Sequence, residues 1–203
     1  MKEEFNIVLA GVGGQGTLLA AEVIGAAAVK DGLNVRVSEI HGMAQRGGVV
    51  VSNVRIGEGV LASTVLDGQA NVLLGFEPLE TLRNLRSASE KTLVIMNADR
   101  IPPTELAANN VKYPSLEEVL AKIHLFTRKV VVVEAAELAM KAGSRLAQNS
   151  VLLGALAAVE EFPVKADSLV EALRELVPKK HVEVNVKAFE LGRESARKEG
   201  NRV

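Results

Sequence analysis

Two clusters of residue types in this chain could do chemistry. The first is Gly11-Val12-Gly13-Gly14-Gln15-Gly16, followed by Thr17. Its spacing is G-x-G-x-x-G with an additional glycine at Gly14. Glycines at that spacing let a backbone turn tightly and approach a ligand closely, and the helix start that follows favours an anion. The chemistry on offer is binding of a phosphate or other anion. The same spacing also serves a strand-to-helix turn that binds nothing. The second cluster is His41-Gly42-Met43-Ala44-Gln45-Arg46-Gly47-Gly48. Arg46 carries a planar fork of donors suited to phosphate or carboxylate, and His41 could move a proton. Each has a plainer role available: a backbone-bonded histidine and a structural ion pair.

The elements that would position these clusters follow from hydropathy period and punctuation. Phe5 to Ala10 is a short apolar run, and Thr17 to Lys30 reads as a helix, so the first cluster is a strand–turn–helix unit. That helix is apolar nearly all round, with Glu22 its only charged interruption before Lys30, which requires burial on most sides. Asp31-Gly32 ends it. Asn34 to Ile40 alternates and reads as a second strand, and Val49 to Ile56 as a third. No helix separates them, so they are expected to run antiparallel, with the second cluster between them. That places His41, Gly42, Gln45, Arg46, Gly47 and Gly48 at the strand ends where open α/β sheets bind ligands.

Further along, Asn71 to Phe76, Thr92 to Met96 and Lys129 to Val133 read as buried strands. Pro78 opens a helix striped by Leu79, Leu82 and Leu85, and Pro102-Pro103 breaks the chain after the next strand. Ser115 to Glu118 and Ser168 to Glu171 read as capping boxes. The run Val151 to Val159 is either a core helix or, because Gly154 permits close contact, a subunit interface, and a last helix spans roughly Val184 to Lys198. The fold class expected is α/β: a single three-layer Rossmann-like domain over residues 1–203, with a mixed, mostly parallel sheet and C-terminal helices.

Composition narrows the function classes. A formal charge of −1 and 3 % aromatic residues give no basis for expecting nucleic acid or an anionic membrane surface. There is no cysteine, which removes disulfides, thiolate zinc sites and cysteine-held iron–sulfur clusters together. The three histidines, His41, His124 and His181, show no ligand spacing. No signal peptide and no membrane span is read from the sequence, so a cytoplasmic location is expected. A dinucleotide-dependent dehydrogenase is one candidate, with Glu39 at the end of the second strand as its ribose-binding acid. It lacks an evident substrate site, and no nucleophile elbow or two-metal carboxylate spacing offers another hydrolytic chemistry.

Taken together, the two glycine clusters resemble the gamma-type domain of 2-oxoacid:ferredoxin oxidoreductases. The longer run Ser38 to Gly48, then Val54-Arg55-Ile56-Gly57, is more similar to the beta subunit of the indolepyruvate enzymes than to the pyruvate or 2-oxoglutarate types. The likeness continues through Asn149 to Ala155 and Asn185 to Gly192. It implies a subunit of an enzyme that decarboxylates aryl 2-oxoacids oxidatively with coenzyme A, giving acyl-CoA, carbon dioxide and reduced ferredoxin. It implies that thiamine diphosphate and iron–sulfur clusters belong to a larger alpha subunit, that coenzyme A is a co-substrate, and that no cofactor resides on this chain. Under it, Gly11, Gly13, Gly14, Gln15, Gly16 and Thr17 either bind a phosphate, such as one of coenzyme A, or make close packing contacts, and His41 to Gly48 form an active-site loop or subunit interface. The first helix and the Val151 to Val159 run then predict self-association of the isolated chain.

Overall fold

The computed structural model describes residues 4–41, 48–101 and 112–200. Gly42, Gln45, Arg46 and Gly47 of the second cluster, and the Pro102-Pro103 break, lie outside the described residues. The elements are β1 (Phe5–Val12), α1 (Thr17–Lys30), β2 (Val35–His41), β3 (Val49–Ile56), β4 (Val72–Gly75), α2 (Pro78–Arg83) and β5 (Leu93–Asn97). Then come α3 (Leu116–Ile123), β6 (Val130–Val133), α4 (Ala135–Ala142), α5 (Gln148–Leu156), α6 (Ala166–Leu176) and α7 (Val182–Gly200).

The strands form one six-stranded sheet in the order β2-β3-β1-β4-β5-β6. β1, β4, β5 and β6 are parallel, while β3 runs antiparallel to both its neighbours, β2 and β1. The mixed sheet is as expected. The insertion of β3 between β2 and β1 is not, because sequence adjacency predicts the hairpin but not which of its arms meets β1.

Strand alternation sorts the core into two layers. Ile7, Leu9, Val54, Ile95 and Val131 face the larger layer, built from α1 and α4 to α7. Val8, Ala10, Leu73, Val94 and Met96 face a smaller one holding Leu85, Val119 and Ile123. Buried on both faces, β1 and β4 have no polar side to alternate with, which is why both read as continuous apolar runs.

The all-apolar α1 is covered within the chain. It lies between the sheet and α6, whose Leu169, Ala172 and Leu173 are buried against it. Leu18 and Val29 are its only exposed large apolar residues. The Val151 to Val159 run is likewise interior: every residue of α5 from Asn149 to Leu156 is buried. Gly154 does allow a close contact, but with α7 and not with another chain. A Cβ there would lie 1.9 Å from the Phe189 carbonyl oxygen, and one at Gly192 would lie 2.0 Å from that of Val151. Neither helix therefore supplies the apolar surface on which self-association was expected.

Two local readings are corrected. Ser115 and Glu118 do form a reciprocal capping box at α3, but Ser168 caps nothing. Instead α6 begins at Ala166, and its start is held by a carboxylate from elsewhere: Asp31 accepts the Lys165 N–H at 2.7 Å and the Ser168 hydroxyl at 2.6 Å. In α2 the buried face carries Pro78, Glu80 and Thr81, while Leu79 and Leu82 are half-buried. Six residues make under two turns, too few for the leucine stripe to fix the helix's rotation.

Candidate functional site

The glycine cluster sits where β1 ends and α1 begins, at the carboxyl ends of the parallel strands. β1 continues two residues into the cluster, through Gly11 and Val12, before the chain turns. Left-handed φ values occur at Gly14 (99°) and Gly16 (77°). Gly13 is not among them. Gly13 donates its N–H to the Gly48 carbonyl at 2.8 Å. That bond joins the two clusters. The β1–β3 register pairs Gly11 with Val50 and Val12 with Val49, so the chain entering β3 lies beside the turn.

Gln15 is occupied by the fold. Its side-chain oxygen accepts the Val12 N–H at 2.7 Å, and its amide donates to the Phe76 carbonyl at 2.8 Å. It ties the turn to the end of β4. Gly11 has no room for a side chain, since a Cβ would lie 2.8 Å from both the Phe76 Cβ and the Thr17 hydroxyl oxygen. Gly16 is confined by Asn149, whose side-chain nitrogen lies 2.7 Å from the position a Cβ would take.

What remains free is the helix start itself. α1 has no side-chain cap and no acidic residue in its first turn. Its leading amides and the positive end of its dipole are therefore uncompensated. The Thr17 hydroxyl is buried and has no hydrogen-bond partner. A buried polar group without a partner costs about 1–3 kcal/mol. Glycines, uncapped amides and an orphaned hydroxyl together are the donor set an anion requires. Within the cluster, then, Gly11, Gly13 and Gln15 shape the turn, while the start of α1 at Gly16 and Thr17 is left uncapped.

Around the turn stand polar residues that the sequence reading did not single out. Asn97 ends β5, donating to the Phe76 carbonyl at 3.2 Å and to the Gln148 side chain at 3.1 Å. Its oxygen accepts the Ala135 N–H at 3.3 Å, and Asp99 accepts that of Ala136 at 2.9 Å. These bonds fix the starts of α4 and α5 against the sheet. The available signal was a lone asparagine closing an apolar strand. Glu77 is fully buried at the start of α2. It accepts the Glu80 N–H at 2.9 Å, the Ile101 N–H at 3.3 Å and the Tyr113 hydroxyl. It thereby holds the chain after β5 and the chain before α3 to one carboxylate. Burial, then the bond to Glu77, pushes the Tyr113 phenol well above its ordinary value. Glu80 is 1 % exposed, and burial raises its carboxyl above 4.5, with Arg83 at 2.5 Å opposing that and the charge of Glu77 adding to it.

A dinucleotide site does not fit this geometry. The acid that binds ribose must stand on the strand beside β1. Here that neighbour is β3, and Glu39 on β2 is a full strand further out, about 10 Å from β1 at the usual strand spacing. The backbone of His41 pairs with Val50, which brings the start of the second cluster to the same end of the sheet. Among the described residues no group of three histidine, cysteine, aspartate or glutamate side chains could hold a metal, and no helix is long and apolar enough to cross a membrane.

Comparison with known proteins agrees with the two-cluster reading. The family model for pyruvate ferredoxin/flavodoxin oxidoreductase matches residues 6–195. A protein named indolepyruvate oxidoreductase subunit IorB from Pyrococcus horikoshii is 44 % identical over 96 % of this chain and 97 % of its own length. One of the same name from Methanothermobacter thermautotrophicus is 44 % identical over 93 % of this chain and 95 % of its own. Among solved structures, the 2-oxoglutarate:ferredoxin oxidoreductase of Magnetococcus marinus, with 2-oxoglutarate, coenzyme A and succinyl-CoA bound, superposes with a TM-score of 0.74 at 20 % identity. The superposition covers 98 % of this chain and 32 % of that one, and it establishes the shared fold.

Proposed function

The chain belongs to the pyruvate ferredoxin/flavodoxin oxidoreductase family, and from that premise we propose that it is the small, beta-type subunit of an indolepyruvate oxidoreductase. The reaction is oxidative decarboxylation of an aryl 2-oxoacid with coenzyme A to acyl-CoA and carbon dioxide, with the electrons passing to ferredoxin. The observation that carries this reading is the full-length identity of 44 % to proteins named as subunits of that enzyme. The gamma subunits of pyruvate and ketoisovalerate enzymes stand further off, at 28 % identity or less. That distance favours the indolepyruvate assignment within the family.

The chain's own residues supply binding and not redox chemistry. With no cysteine anywhere in the sequence it cannot ligate an iron–sulfur cluster by thiolates, and no step through such a cluster is assigned to it. Thiamine diphosphate and the clusters belong, on this reading, to the larger partner subunit. The glycine turn fits coenzyme A better. A phosphate at the start of α1 would meet uncapped amides and accept from the otherwise unpartnered Thr17 hydroxyl. The second cluster, joined to the turn by the Gly13–Gly48 bond, would then lie beside the same ligand. Arg46 is the residue in it suited to a phosphate or to the substrate carboxylate.

The test is Arg46→Lys in the reconstituted two-subunit complex. Lysine keeps the charge and loses the two-pronged geometry. Turnover per intact complex should fall about tenfold, the order of one charge-assisted bond, with subunit association unchanged. A lower melting temperature at unaltered turnover would assign Arg46 to the loop's shape instead.

A further inference from the structure

We propose that a cavity at the far end of the sheet from the glycine turn binds a hydrophobic α-amino acid. The cavity is about 480 Å³, within the range of small-molecule sites. It opens at the starts of β4, β5 and β6, whereas the glycine turn stands at the end of β1. Its floor is apolar and belongs to the larger core layer, with Val72, Ile95 and Ala155 all buried.

The rim carries two charges of each sign. Lys91 and Lys129 stand just before β5 and β6, which pair in parallel with Val94 opposite Val130. Lys91 lines the cavity together with Ile95, and Lys129 together with Val131. Both of those apolar partners face the helical layer that roofs the cavity. Opposite them, Glu160 and Glu161 follow α5. Among the ion pairs of the described residues, none includes any of these four side chains.

Charge selects the ligand class. A simple carboxylic acid would be attracted by the lysines and repelled by the glutamates, and an amine the reverse. A molecule carrying ammonium and carboxylate beside an apolar body satisfies both sides of the rim while filling the floor. A hydrophobic amino acid has that chemistry and that size. Because the cavity shares no residue with the glycine turn, this assignment stands or falls apart from the proposed function.

The experiment is isothermal titration calorimetry of the full chain with L-phenylalanine. Two analogues each lack one charge: 3-phenylpropionate has no ammonium, and phenethylamine no carboxylate. The expected result is saturable 1:1 binding of L-phenylalanine, with each analogue weaker by about tenfold or more, the equivalent of about 1.4 kcal/mol. Replacing Lys91 and Lys129 together by Met should weaken L-phenylalanine by a similar factor. Ala158→Leu, on the half-buried wall, should block it by occupying the space. Thermal melts establish that the variants fold. If one does not, the analogue comparison on the unaltered chain decides alone. Absence of saturable binding by L-phenylalanine and L-leucine alike would overturn the proposal. So would equal binding of either analogue, or folded variants that bind unchanged.

Discussion

Thr17 is the residue whose environment separates ligand binding from simple architecture. A buried hydroxyl without a partner destabilises the folded chain. Thr17→Val removes the hydroxyl and keeps the shape. If the hydroxyl serves a ligand, the variant should be as stable as the parent or up to about 1 kcal/mol more stable, while binding sulfate or coenzyme A more weakly. A melt and a titration on one sample check both halves, and unchanged binding would remove Thr17 from the site. Gly16→Ala should act the other way. A φ of 77° costs an L side chain about 1–2 kcal/mol, and the new Cβ would press on Asn149. Adding Asn149→Ala should recover the steric part and leave the strain. A double-mutant cycle with no coupling would contradict that contact. The glycine spacing was legible in the sequence because a turn is local. Asn149 was not, because its contact with Gly16 joins residues far apart in the chain that only the packing of α5 beside α1 brings together. Gln15 was read as a binding residue, yet both of its side-chain bonds go to the backbone.

At the scale of elements, α2 shows how a short helix can hide its most consequential residues. Leu82 and Leu85 of its leucine stripe do pack on the smaller core layer, but the fully buried Glu77 and nearly buried Glu80 beside them are invisible to a hydrophobic pattern. The raised carboxyl of Glu80 makes a pH prediction. A folded-state pKa above the ordinary 4.5 means that the folded chain holds the proton more tightly. The group's contribution to stability is then greatest below 4.5, falls as pH rises through the raised value, and is flat above it. Glu80→Gln should lack that decline, so its stability relative to the parent should improve with rising pH. Denaturant unfolding of both proteins across that window measures it, and parallel curves would contradict it. The strands were far more legible, because β1 and β4 are buried on both faces and read as unbroken apolar runs. The insertion of β3 was not legible. Sequence predicts that β2 and β3 pair, but local pattern does not say which one borders β1.

On the proposed reading, the whole molecule is a binding and positioning subunit. Its two apolar helices are covered by its own sheet and C-terminal helices, so any surface offered to a partner must lie elsewhere. The end of the sheet that carries the glycine turn exposes Val49 and Leu146. The function class was legible because both glycine clusters occur in one chain, and the structure joins them through Gly13 and Gly48. The ligand was not legible, since an anion site is defined by backbone amides that any sequence possesses. Steady-state ferredoxin reduction by the larger subunit with indolepyruvate and coenzyme A, with and without this chain, tests the subunit assignment. Coenzyme A-dependent turnover is expected only when both subunits are present, at a rate that saturates at a fixed subunit ratio. Full turnover by the larger subunit alone, or no turnover by an assembled complex that accepts another 2-oxoacid, would contradict it.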